Sequence, residues 1–208
     1  MSVAPDDKWP PYLVYPREDV MALGVVSLNY GLLERMFQHL FEAVGDFNEH
    51  QIAAFFQRIN NNVRLTVFNE LIDKTNISSE LKDDAEYFCS AYKICAENRH
   101  ALMHSRGAGI FRSQSRGTGG MMLKRATRSG KPIVCAVTLP DLRTVADDIH
   151  AFTSFGGDVI TNVRSYKTCL REGRIHEFSR LQLRGRPPPP TDMHWSSESD
   201  LLDTPHQP

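Results

Sequence analysis

Residues 79–104, SELKDDAEYFCSAYKICAENRHALMH, decide the fold. Leu81, Ala85, Phe88, Tyr92, Cys95, Arg99 and Leu102 recur in steps of four and three, the period of one helical face. Asn76-Ile77-Ser78 reads as a turn, so the spacing predicts a helix from about Ser79 to His104. Arg99 falls on its apolar stripe. A buried guanidinium is costly without a partner, and the acid available to compensate it is Glu34, which shares a stripe with Tyr30, Phe37 and Phe41. A purely structural Arg99–Glu34 pair is therefore one reading of this arginine.

Upstream, Pro16 opens a first helix to about Val44, acidic in its first turn at Glu18 and Asp19. Its apolar residues cover more than one face, which predicts a central helix. A second helix is expected from about Asn48 to Lys74, with Asn60-Asn61-Asn62 as a point of bending. Downstream of His104, two strand-like runs, Met121 to Ala126 and Pro132 to Val137, are joined by Thr127-Arg128-Ser129-Gly130 and predict a β-hairpin. Thr138 and Asp141 form a capping-box-like start to a last helix, whose apolar phase survives Gly156-Gly157 and so favours a close-packing notch over a break. The expectation is an all-α fold: an antiparallel bundle of four or so long helices, with a hairpin insertion at about 107–137 before the last helix. Residues 1–16 form an N-terminal extension, and 17–183 the helical domain. Residues 184–208, with Pro187-Pro188-Pro189-Pro190, are too poor in apolar side chains to hold a fold and predict a disordered tail.

The chain of 208 residues carries a formal net charge of −1, which excludes a uniformly basic nucleic-acid binder. The charge is unevenly placed. From Asn98 to Pro140 there is no Asp or Glu but eight basic residues, leaving −9 for the rest. Arg106, Arg112, Arg116, Lys124, Arg125 and Arg128 in that stretch are candidate phosphate contacts, against the plainer reading of a solvated basic hairpin. Cys89, Cys95, Cys135 and Cys169 show no zinc-like pairing, the start of the chain is polar and acidic, and no apolar run of spanning length stands out. Reduced thiols in a cytoplasmic protein with no membrane contact are expected.

Asn98-Arg99-His100-Ala101-Leu102-Met103-His104-Ser105 carries the chemistry. A guanidinium can clamp phosphate oxygens while an imidazole moves protons near neutral pH, without a metal or other cofactor. Arg171 to His176 has the same spacing, and Arg143 to His150 is two residues longer. Only Arg99 combines a helical setting, a polar successor and a small residue just beyond the histidine. Residues five apart on an ideal helix differ by about 140° in direction and about 7.5 Å along the axis. Convergence of Arg99 and His104 on one phosphate therefore suggests help from a symmetry-related chain, with the third and fourth predicted helices at the interface. Glu97, His100 and His104, at i, i+3 and i+7, are alternatively one face of a bundle-type metal site, with Glu34, His39 and Glu42 as the acids and histidine available on the first helix.

Long helices with an Arg-x(4)-His motif late in the third, a polar His100 after the arginine, a variable insertion and a final amphipathic helix resemble the HEPN (higher eukaryotes and prokaryotes nucleotide-binding) superfamily over about Arg17 to Arg174. The resemblance implies Arg99, His100 and His104 as motif positions, supported by Asn98 and Glu34. It implies a metal-independent endoribonuclease, in many members a toxin or antiviral effector, that works as a homodimer whose motifs meet across a shared cleft. RNA is the implied substrate, and an antitoxin or regulatory protein a further partner. His104 would act as general base or acid and Arg99 would stabilise the phosphoryl charge, giving a 2′,3′-cyclic phosphate and a 5′-hydroxyl. Other members have lost activity, so a module that only binds RNA, nucleotide or protein is the alternative.

Overall fold

A computed structural model describes residues 15–112, 119–127, 129–181 and 185–197. They are mostly helical, with a small antiparallel sheet. The helices are α1 (Arg17–Gly45), α2 (Glu49–Arg58), α3 (Asn61–Lys74), α4 (Ser79–His104) and α5 (Leu139–Arg171). The strands are β1 (Arg106–Arg112), β2 (Gly119–Ala126), β3 (Pro132–Thr138) and β4 (Ser196–Ser197), adjacent in that order.

Each of α2 to α5 begins where a side chain can satisfy its free amides, whereas α1 begins at Pro16 with no side-chain cap. Ser78 Oγ accepts from the Leu81 amide at 3.4 Å, and α4 runs from Ser79 to His104 as its periodicity predicts. Thr138 and Asp141 form a full capping box, and α5 passes Gly156-Gly157 unbroken. The expected second helix is two helices. Asn60 Oδ1 accepts from the Val63 amide at 3.1 Å, so it caps α3 rather than sitting inside one long helix, and Ile59 is extended. An asparagine side chain competes for backbone amides, which turns a possible bend into a break.

The core lies where α1, α4 and α5 meet. Leu33, Phe37, Leu40 and Phe41 of α1, Phe88 and Tyr92 of α4, and Ile149, Phe152 and Val163 of α5 are almost wholly buried. The Phe37 ring lies tilted against Tyr92 at 4.4 Å and meets Phe68 of α3 edge-on at 5.3 Å. A Cβ on Gly156 would stand 2.5 Å from Phe88 Cε2, so this glycine is the notch that lets α5 approach α4. The expected wholly antiparallel arrangement is not what forms. Asn29 bonds the Ala146 carbonyl and Lys167 bonds those of Ala43 and Val44, so α1 and α5 run side by side in the same direction, with α4 opposed to both.

The insertion is larger than a hairpin. β2 and β3 pair as expected, from Gly120↔Thr138 to Ala126↔Pro132, but 106–112 adds a strand on the outer edge. The tail also departs from expectation. Residues 185–197 pack as a strap along α4 and α5 and end in β4, which pairs Ser196 with Val134. Tyr87 Oη donates to the Pro187 carbonyl at 2.6 Å, and the buried Asp84 carboxylate holds both Arg180 and Arg186. Composition could not foretell this, because the few apolar side chains that dock, Met193 and Trp195, are joined by polar bonds to distant backbone and charge. One further correction concerns α1, which is long and apolar enough, by length and composition, to cross a membrane. In this fold its Val26, Leu33, Phe37 and Leu40 are core residues.

Candidate active site

The last turns of α4 lie at the end of the molecule where α1 and α5 begin and the sheet stands. That end brings Arg99, His100, His104, Tyr30 of α1, Arg125 of β2 and Trp195 of the strap into one neighbourhood. Arg99 Nη1 donates to His104 Nε2 at 3.3 Å, an arrangement open to an imidazole that carries its proton on Nδ1. The two side chains thus meet within one chain. A five-residue offset separates their Cα positions, but an arginine is long enough to reach back over the intervening turn.

Arg99 does not pair with Glu34, which removes the purely structural reading of that pair. Glu34 Oε1 accepts instead from Arg64 Nη1 of α3 at 2.8 Å. The guanidinium of Arg99 lies over the Tyr30 ring, 5.5 Å from its centroid, and its buried Nε has no hydrogen-bond partner among the described residues. An aromatic face offsets part of a cation's desolvation but cannot accept a full in-plane hydrogen bond. That donor is therefore unsatisfied, in a residue that lines a cleft.

The cleft measures about 540 Å³ and is lined by Tyr30, Asn60–Asn62, Glu97, Arg99, His100, Arg125 and Trp195 among others. A second hollow, of about 360 Å³, opens between His104, Arg106, Lys124 and Arg125. Arg125 belongs to both and lies 4.0 Å over the Trp195 ring. The rings of His100 and His104 stand 4.7 Å apart. Burial, followed by the nearby His104, Arg125 and Arg99, lowers the pKa of His100 from its ordinary value. His100 is then a neutral hydrogen-bonding group at neutral pH rather than a third positive charge. Burial acts in the opposite sense on Tyr30 and Tyr92, whose hydroxyls stand 3.2 Å apart and are held well protonated.

Asn98 has a different role from its neighbours. It is buried, its Nδ2 donates to the Thr191 carbonyl at 2.7 Å, and its Oδ1 accepts from the Met193 amide at 3.2 Å. It pins the strap directly beside the motif. Sequence reasoning missed Tyr30 as the seat of Arg99, Asn60–Asn62 as cleft wall and Trp195 as the platform for Arg125. A tryptophan in a polar, Pro-rich tail was the one available signal, since such a ring gains from docking on a surface.

Of the expected basic contacts, Arg106 and Arg125 are exposed near His104, and Lys124 is half-buried in the same hollow. The Arg112 side chain, Arg116 and Arg128 lie outside the described residues. Arg171 and His176 do not meet: Arg171 Nε bonds the Lys167 carbonyl, His176 faces Glu177, and Gly173 at φ +68° turns the chain between them. Among the described residues, no three His, Cys, Asp or Glu side chains gather as a group that could hold a metal ion. Glu97, His100 and His104 therefore do not complete a metal-binding set with the acids of α1, where His39 instead contacts Glu42 at 3.0 Å. No protein-family model, curated protein or solved structure matches the chain.

Proposed function

We propose that this chain is a metal-independent endoribonuclease of the HEPN type, a variation on a helical bundle, that cuts RNA to 2′,3′-cyclic phosphate and 5′-hydroxyl ends. The observation that carries the reading is Arg99: its guanidinium touches His104 at 3.3 Å, the residue lines an open cleft, and its buried Nε has no hydrogen-bond partner among the described residues. A phosphate entering there supplies the missing acceptor. Its oxygens take the guanidinium, and His104 Nε2, freed from Arg99, is within reach of a ribose hydroxyl on the same nucleotide. His104 removes the 2′-hydroxyl proton as that oxygen attacks phosphorus, the P–O5′ bond breaks and the departing 5′-oxygen takes a proton from water, while Arg99 holds the charge that grows on the phosphoryl oxygens. RNA is cut and DNA spared, because the nucleophile belongs to the substrate. Neighbouring nucleotides are received by the two hollows, with Arg106, Lys124 and Arg125 on the phosphates and the Trp195 and Tyr30 rings beside the bases. A cytoplasmic toxin or antiviral effector, held in check by an antitoxin or regulatory protein, is the biological role consistent with this chemistry.

The second reading is a binding module that has lost cleavage. It is favoured by the Arg99–His104 contact itself, since a ring nitrogen engaged by a guanidinium is not free to act as a base. Incubation with total RNA and tRNA in EDTA, with end-group analysis, separates the two. Cleavage is expected to be abolished by Arg99→Ala and by His104→Ala, with the double variant hardly worse than either, because both act on one transition state. Arg171→Ala should retain activity. RNA retention without cleavage by the wild-type protein would establish the binding module, and cleavage that survives both substitutions would remove the assignment.

A further inference from the structure

Because α1 turns Leu33 and Phe37 inward, it leaves a second apolar stripe on the outside. Met21, Val25, Leu28 and Leu32 are 57%, 46%, 75% and 52% exposed. Single exposed apolar residues are ordinary, but these four follow steps of four, three and four along one helical face. No charged residue occurs between Asp19 and Glu34. Gly24 and Gly31 lie on the same face, and a Cβ built on either would meet nothing within 4 Å. The open face spans an arc of about 120° around the helix and about 17 Å of its length.

We propose that this face is a self-association surface on which a second copy of the chain lies antiparallel, with Leu28 on the two-fold axis. The order of large and small residues is what selects the partner. Rotation about Leu28 sets Leu32 of one copy over Gly24 of the other, and Val25 over Gly31. Leu32 and Val25 therefore each meet a glycine notch, the complementarity an isologous contact requires. The ends agree as well. Arg35 falls opposite Met21, within side-chain reach of Glu18, so the contact joins opposite charges at both of its rims. A parallel pairing in register would instead set glycine on glycine, Arg35 on Arg35 and Glu18 on Glu18, leaving voids and like charges. The face that associates is thus on α1, whereas the motif-bearing α4 and its neighbour α5 were the expected interface. Arg99 and His104 already meet within one chain, so the helix geometry by itself does not require an axis between them.

Analytical ultracentrifugation of the full chain without RNA tests this independently of any catalytic role. A single helix pair of this size is small for a stable interface, so a dimer with dissociation in the micromolar range is expected. Leu28→Glu and Gly31→Leu should each give monomers. The second adds helix propensity and fills open space in the single chain, so unchanged circular dichroism will separate lost contact from lost fold. In a Cys169→Ser background, Leu28→Cys should form a disulfide-linked dimer under mild oxidation, whereas Met21→Cys should not, because position 21 is remote from its own copy in the antiparallel arrangement. A wild-type chain that stays monomeric at 100-fold above micromolar concentration, a dimer indifferent to both substitutions, or efficient linkage through Met21→Cys would each overturn the proposal. Flotation with lipid vesicles that is lost in Leu28→Glu, in a chain that does not self-associate, would assign the face to a membrane and overturn it equally.

Discussion

Arg99 combines two demands that rarely coincide. Its position on the apolar stripe of α4 buries Nε without a partner, while Nη1 reaches the edge of the cleft and His104. An unsatisfied buried donor costs about 1–3 kcal/mol, a cost that a bound anion would relieve. His100, next in sequence, reports on the same environment. Its pKa lies below the ordinary 6.5 because of burial first, then His104, Arg125 and Arg99. The unfolded chain thus takes up this proton first as pH falls. The contribution of His100 to stability is present above pH 6.5 and is lost as pH drops towards the folded value. An NMR titration of the imidazoles is expected to place the His100 midpoint below 6.5 and to move it upwards when inorganic phosphate is added. A midpoint at or above 6.5 without phosphate would mean that neither burial nor the neighbouring cations act on this ring as the structure implies.

Among the elements, α5 offers the sharpest contrast, since two adjacent glycines have opposite surroundings. Alanine normally stabilises a helix over glycine by about 1 kcal/mol. At Gly157 an added methyl meets nothing within 4 Å, and Gly157→Ala should raise the unfolding free energy by about 0.5–1 kcal/mol. At Gly156 the methyl meets the buried Phe88 ring at 2.5 Å, and Gly156→Ala should lower it, since overpacking costs about 1–3 kcal/mol. Urea denaturation of the two variants checks the pair. Equal effects would show that Phe88 can move aside and that α5 is not held against α4 by this notch.

For the whole molecule, the strap of residues 185–197 joins regions that the chain order separates. It bonds α4 at Asn98 and α5 through Asp148, whose Oδ2 accepts from the Thr191 amide at 3.0 Å, and it completes the edge of the sheet. Asn98→Ala removes both backbone partners of the strap next to the motif, with an expected loss of about 1–3 kcal/mol. Hydrogen exchange should then rise at Met193, whose amide loses its acceptor, while the Thr191 amide, held by Asp148, and the core of α4 keep their protection. Unchanged exchange at Met193 would show that Asp148, β4 and the Trp195 contact hold the strap without Asn98.

The sequence by itself determined what depends on near neighbours. The span of α4, the capping box of Thr138 and Asp141, the β2–β3 pairing and the continuity of α5 all follow from periodicity, caps and turns acting within a few residues. The motif Arg99 to His104 was legible in the same way, as residue types at a spacing. Tertiary structure alone decided the partners. Which arginine takes Glu34 depends on where α3 lands, and the docking of the strap depends on polar bonds between residues about 100 positions apart, such as Tyr87 to Pro187. The open face of α1 is of the same kind: its apolar residues were plain in the sequence, but only the packing of α4 and α5 against one side determined which of them would remain uncovered.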